Sequence, residues 1–165
     1  MQNVPCGQAV SVGYATMPTN NSAPDYAGDI DVQQAWDMLT ADSKAQLIDV
    51  RTAAEWTYVG LPDLAPLGRE VHAIEWQSFP SGEINPDFAQ VTAEQMKLAG
   101  AGAEAPLLFL CRSGARSKAA AIAMTRAGFS RAYNIAGGFE GNLDVEGHRG
   151  NVNGWKAAGL PWRQG

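Results

Sequence analysis

Residues 111 to 117 read Cys-Arg-Ser-Gly-Ala-Arg-Ser: one thiol, two guanidinium groups and two hydroxyls around a glycine. The apolar run before them, Leu107 to Leu110, reads as a buried strand, and the small-residue run after them, Ala119 to Ala123, reads as a helix able to pack closely on a sheet. In a strand–loop–helix unit the loop lies at the carboxyl end of the strand and the amino end of the helix. Backbone N–H groups and the positive end of the helix dipole then face the sulfur. Such surroundings stabilise a thiolate, or any sulfur species carrying negative charge. Gly114 permits the backbone conformation in which successive amides curl around an anion. Cys111 is therefore the candidate nucleophile. Its competing role is the common one for a free cysteine, a small buried hydrophobe. The abrupt change to polar and cationic residues at Arg112 places Cys111 at the boundary of the core and favours chemistry.

The elements that must position this loop follow from pattern. Asp31 with Gln34 makes a capping box ahead of Val32, Ala35, Trp36 and Leu39 on one helical face. Gln46 to Val50 reads as a strand, and Thr52 with Glu55 repeats the capping-box spacing at the start of a brief helix through Trp56. Pro62, Pro66 and Gly68 mark a long turn, and Val71 to Glu75 a further strand. A helix is expected over Pro86 to Leu98, ending at Gly100. After the Leu107 strand come a helix from Ser117 to near Gly128 and a strand at Ala132 to Ile135. The Gly-rich segment Gly137 to Gly141 follows, then a last short helix around Val152 to Ala158 that stops at Gly159. Strands alternating with helices predict an α/β fold with a central parallel sheet. Ligands bind such sheets outside the carboxyl ends of the strands, where Cys111 falls.

Composition narrows the function. A chain of 165 residues, 45% hydrophobic, supports one sizeable core. Residues 1–27 read as an irregular leader and 28–165 as the domain. A net charge of −5 without a dense basic run argues against a nucleic-acid partner, and no apolar stretch has the length of a membrane span. Cys6 and Cys111 do not make a disulfide framework. With no signal-peptide pattern at the N-terminus, a cytoplasmic, reducing location is expected.

These motifs resemble the rhodanese-like sulfurtransferases from about Gly28 to Trp162. Leu47-Ile48-Asp49-Val50-Arg51 with Glu55-Trp56 is similar to the family's early signature, a strand ending in Asp-Val-Arg. Cys111 to Ser117 is similar to its active loop. Tyr133-Asn134-Ile135-Ala136-Gly137-Gly138-Phe139-Glu140-Gly141, with Trp155 and Ala158-Gly159-Leu160-Pro161, is similar to its closing signature. The resemblance implies a parallel sheet with helices on both faces. It implies a Cys111 that takes sulfane sulfur from a small anion such as thiosulfate, holds it as a covalent persulfide, and passes it to a thiophilic acceptor such as cyanide or a protein thiol. Neither a further cofactor nor a metal is called for, and a monomer is expected.

The chain departs from the family pattern in two places. Where Gly-His-Ile-Pro-Gly-Ala is usual, it reads Val59-Gly60-Leu61-Pro62-Asp63-Leu64, without the histidine. The insert 142–151 has a passing likeness to a calcium loop, but Asn153 stands where the bidentate carboxylate belongs, which argues against calcium. Neither His72 nor His148 pairs with Cys111 in sequence, which disfavours a cysteine–histidine hydrolase. A phosphatase or arsenate reductase of the same fold is the alternative enzyme, although its Cys-x5-Arg loop is one residue longer than the Cys-x4-Arg here. A non-catalytic binding module of this fold is the third reading.

Roles divide accordingly. Gly114, Ala115, Arg116 and Ser117 should supply backbone N–H groups to the sulfur cradle, with Ser113 part of the same loop, and the Ser117 hydroxyl is expected to cap the helix. Arg112 either binds the anionic donor or is a solvated surface charge. Arg116 either binds the donor or forms an ion pair with Asp49. Asp49 and Arg51 support the loop. Trp76 is either an apolar rim or, as tryptophans usually are, a core residue.

Overall fold

A computed structural model describes residues 24–165, so Cys6 and all but the last four residues of the expected leader lie outside the described residues. Five strands form one parallel sheet: β1 (Gly28–Ile30), β2 (Gln46–Asp49), β4 (His72–Ala73), β5 (Leu107–Leu110) and β6 (Ala132–Ile135), in spatial order β1–β6–β5–β2–β4. All four pairings are parallel, and β5, which leads into Cys111, is the central strand. Every residue of β2 and β5 is buried, as a strand covered on both faces requires. Two short strands, β3 (Leu61–Pro62) and β7 (Trp162–Arg163), pair antiparallel apart from the main sheet.

Alternation along the strands builds two cores. Leu47, Leu108, Leu110 and Ile135 face one side, where Val32, Ala35 and Leu39 of α1 (Val32–Ala41) pack with Phe139 and Trp155. Ile48, Val50, Leu107 and Phe109 face the other. There they meet Phe88 and Met96 of α3 (Phe88–Leu98) and Ala120, Ala121 and Met124 of α4 (Ala115–Arg126). The alanines of α4 let its backbone approach the sheet closely, which brings its first turn up to Cys111. Helices thus cover both faces, and the fold is rhodanese-like. Trp76 is half-buried and packs edge-on against Phe88 at 5.0 Å, at the margin of this core.

Both capping boxes form. Asp31 accepts from Gln34 N at 2.7 Å at the head of α1, and Thr52 accepts from Glu55 N at 3.3 Å at the head of α2 (Ala53–Tyr58). Several expectations need correction. The Val71–Glu75 strand shrinks to His72–Ala73, an edge pairing of two residues. Helix α4 begins at Ala115, two residues before Ser117, and its N-cap is Gly114 with φ 119°, so Ser117 does not cap it. No helix forms over Val152 to Ala158; that stretch is turns and bends. Trp155 N bonds Gly138 O at 2.8 Å and Lys156 N bonds Phe139 O at 3.2 Å, which pins the segment flat on the Gly-rich turn and spends the amides a helix needs.

Candidate active site

Cys111 directly follows the central strand and is 1% exposed. Its sulfur accepts from Gly114 N at 3.1 Å and lies 3.1 Å from Ser117 Oγ. The left-handed conformation of Gly114 turns its amide back toward the sulfur; a residue with a Cβ would be strained there. Ser117 is buried in the first turn of α4, directly over Cys111. Its hydroxyl also lies 2.6 Å from Oδ1 of Asn134 on β6.

The two arginines separate. Arg112 is exposed and lines a groove of about 510 Å³ together with Phe79 and Val59. Arg116 also reaches this groove but is engaged: its Nη1 and Nη2 donate to the two oxygens of Glu55 at 2.7 and 3.0 Å. The expected ion pair between Arg116 and Asp49 does not form. Asp49 is already saturated by Arg51, whose Nη2 donates to it at 2.7 Å and whose backbone N–H adds a bond at 3.1 Å, with both side chains fully buried. Arg51 continues to Gly60 O at 2.7 Å and lies 4.2 Å over the Phe139 ring. Asp49 and Arg51 therefore tie the end of β2 to the segment that backs the cysteine loop.

That backing comes from the Gly-rich turn after β6. Phe139 N donates to Cys111 O at 2.8 Å, and Glu140 N and Gly141 N donate to Arg112 O at 3.0 and 3.1 Å. These bonds fix the start of the loop through its backbone, whatever side chains it carries. The insert 142–151 closes on the same turn: Arg149 Nη1 donates to Gly141 O at 2.7 Å. Within the insert, Asp144 spends its oxygens on Glu146 N, His148 N and Asn151 Nδ2.

Charge around the site is balanced by pairs. Burial opposes the charge of Arg116, but the hydrogen bonds and charge of Glu55 outweigh it and raise the guanidinium above its ordinary value. Burial likewise works against the Glu55 carboxylate, and Arg116 and Thr52 overcome it, holding Glu55 below the usual range. A depressed folded value means that the Glu55 contribution to stability is present above about pH 4.3, the ordinary glutamate value, and is lost as pH falls through the folded value. Glu55→Gln should therefore destabilise by about 1 kcal/mol at pH 7, as expected of a half-buried pair, and by much less near pH 3. Thermal melts of the two proteins at both pH values check this; a gap that stays constant with pH would contradict it.

Of the residues expected at the site, the structure gathers Cys111, Gly114 and Ser117 around the sulfur and places Arg112 and Arg116 at the groove. Ser113 completes the loop, and of the four amides expected in the cradle, those of Gly114, Ala115, Arg116 and Ser117, Gly114 N alone bonds the sulfur. Sequence reasoning missed Glu55 as the partner of Arg116 and Asn134 as the neighbour of Ser117. A buried asparagine in the otherwise apolar strand Ala-Tyr-Asn-Ile was the available signal for the second.

Comparison with known proteins agrees with this architecture. The structure of Rv0390 from M. tuberculosis is 50% identical and superposes with a TM-score of 0.75, covering 85% of this chain and 99% of that one. The solution structure of the polysulfide-sulfur transferase homodimer from Wolinella succinogenes, 21% identical, shares the fold with a TM-score of 0.54 over 86% of this chain and 80% of that one. Uncharacterized protein RC0915 of Rickettsia conorii is 37% identical over 130 residues, 79% of this chain and 92% of the relative. Rhodanese-like domain-containing protein 4, chloroplastic, of Arabidopsis thaliana is 27% identical over 154 residues, covering 93% of this chain and 29% of that protein. Residues 28–165 match the family model described as the STR4 middle domain, and the chain belongs to that family.

Proposed function

We propose that this protein is a sulfurtransferase in which Cys111 carries sulfane sulfur as a persulfide. The observation that carries this reading is the cysteine itself: its sulfur is held at the amino end of α4 by the Gly114 amide at 3.1 Å, in a short loop that leads into the helix. In the proposed cycle the Cys111 thiolate attacks the outer sulfur of a donor such as thiosulfate. A new S–S bond forms while sulfite leaves with the electron pair of the old one. A cyanide or thiol nucleophile then takes the outer sulfur and returns the thiolate. The reaction needs no cofactor beyond this covalent intermediate, and we place it in a monomer in the cytoplasm. No helix among the described residues is long and apolar enough to cross a membrane.

The phosphatase alternative fares worse on geometry. An oxyanion-binding Cys-x5-Arg loop needs its arginine free for the substrate, whereas both terminal nitrogens of Arg116 are bound to Glu55. Among the described residues that line the groove, Arg112 is the cation left for an anionic donor. Arg112→Ala should raise the thiosulfate Michaelis constant about tenfold, equivalent to one charge-assisted contact of about 1.4 kcal/mol, and leave the melting temperature nearly unchanged. A large stability loss with an unaltered Michaelis constant would assign Arg112 to the fold instead.

Mass spectrometry after incubation with thiosulfate tests the function directly. The expected result is the gain of one sulfur atom on Cys111, removed by cyanide. Absence of any gain, or brisk hydrolysis of aryl phosphates, would overturn the reading.

A further inference from the structure

Ser117 Oγ carries a single proton and has two neighbours that accept one, Cys111 Sγ at 3.1 Å and Asn134 Oδ1 at 2.6 Å. Which of them receives it is decided one residue further out. Asn134 Nδ2 lies 3.0 Å from Asp29 Oδ1, and the same oxygen accepts from Tyr26 Oη at 2.8 Å. Hydrogen bonds from Asn134 and then Tyr26 hold the Asp29 carboxyl below its ordinary range, so at neutral pH it is ionised and only accepts. The Asn134 amide must therefore turn its NH₂ toward Asp29 and its oxygen toward Ser117. A carboxamide oxygen has no proton to give, so Ser117 donates to it. Cys111 then meets a hydroxyl lone pair. A thiol satisfies that arrangement by donating S–H to Oγ, and a thiolate does not.

We infer that Asp29, acting through Asn134, aims the Ser117 hydroxyl away from Cys111 Sγ and thereby withholds a hydrogen bond from the nucleophile. The chain of contacts runs from a buried sulfur just past β5, through α4 and β6, to an exposed carboxylate on the edge strand β1. Asn134 and Asp29 are positioning residues: neither touches the sulfur, and an amide does not conduct the proton. For Ser117 to turn toward a thiolate, Asn134 Oδ1 must lose its donor while buried, which opposes the step. The Gly114 amide donates to the sulfur and the relay withholds a second donor, so the readiness of Cys111 to react is set by the balance. The other charged groups around the site stay in place in every variant below. They are Arg112 on the loop, Arg116 of α4 paired with Glu55 of α2, the Asp49–Arg51 pair at the end of β2, and Lys118 of α4, whose ammonium lies 5.7 Å from the Tyr26 ring.

The inference rests on Cys111 being the nucleophile of the proposed function, but its test needs no sulfur donor. Asp29→Asn removes the obligate acceptor, lets the Asn134 amide flip, and frees Ser117 to donate to sulfur. Alkylation of Cys111 by iodoacetamide at pH 7 should accelerate by roughly three- to tenfold, the scale of one hydrogen bond to a charged group. The ultraviolet absorbance of the thiolate should rise in step. Loss of the Asp29 charge could act through space instead, and two controls separate the causes. In a Ser117→Ala background, Asp29→Asn should have no effect. At about 1 M salt, where charges are screened beyond roughly 3 Å, the acceleration in the otherwise wild-type protein should persist. An unchanged alkylation rate, an acceleration that survives in Ser117→Ala, or one abolished by salt would each overturn the relay. Because sulfur loading by thiosulfate is read independently, failure of the relay and failure of the sulfurtransferase reading are distinguishable.

Discussion

Replacing Cys111 with serine should abolish sulfur transfer while leaving the fold in place. Thiocyanate production from thiosulfate and cyanide is expected to fall by on the order of a thousandfold or more. A neutral hydroxyl is a poor nucleophile at pH 7, and serine cannot form a persulfide. Stability should change little, because the loop is held by backbone bonds: Phe139 N to Cys111 O and the Glu140 and Gly141 amides to Arg112 O survive the exchange. Cys6→Ser should leave turnover intact. Wild-type turnover by the Cys111→Ser protein, with its melt unaltered, would remove Cys111 from the mechanism.

A change that leaves every reactive side chain in place should do comparable damage. Gly138 has φ 62°, and a Cβ built on it would collide with the carbonyl groups of Cys111 and Arg112. Those atoms belong to a buried backbone that cannot give way as a flexible side chain would. Gly138→Ala should therefore destabilise by about 3 kcal/mol or more, combining the left-handed penalty with displacement of the cysteine loop. Chemical denaturation gives the stability loss, and steady-state sulfur transfer on the protein that remains folded should show a reduced kcat. If Gly138→Ala retained both stability and rate, the Gly-rich turn would not be what aligns the loop. As a control, Gly147→Ala also carries a positive φ but has open space around its Cβ, so it should incur strain alone and spare activity.

How far the sequence reached depended on whether the interaction was local. The strand–loop–helix around Cys111, both capping boxes and the parallel α/β layout were legible, since each follows from residue types within a few positions of one another. Leu107 to Leu110 is apolar at every position because β5 is covered on both sides, and a thiol at its carboxyl end followed by glycine and cations was visible without coordinates. The short pieces were less legible. β1 has three residues and β3, β4 and β7 two each, too few for any period to show. The segment 152–158 carries a helical ending signal at Gly159 but surrenders its amides to the Gly-rich turn, a competition that only packing reveals.

Pairing across the fold was decided by tertiary structure alone. Asp49 and Arg116 looked complementary from their places in the chain, yet Asp49 is satisfied two residues away by Arg51, and Arg116 turns to Glu55, 61 positions earlier. The capping box had already placed Glu55 at the head of α2; nothing in sequence says which way its second oxygen faces. The same holds for Ser117, read as a helix cap, which the two-residue earlier start of α4 converts into the buried neighbour of the cysteine. Asn134 and Asp29 join the site only because β6 and β1 lie side by side in the sheet, with Asp29 in register with Asn134. The sequence by itself marked the candidate nucleophile and the kind of loop that holds it, because both are written in consecutive residues. The tertiary structure decided which charges neutralise which and which acceptors the Ser117 hydroxyl meets, because hydrogen bonds are directional and each donor serves the partners that the fold brings within reach.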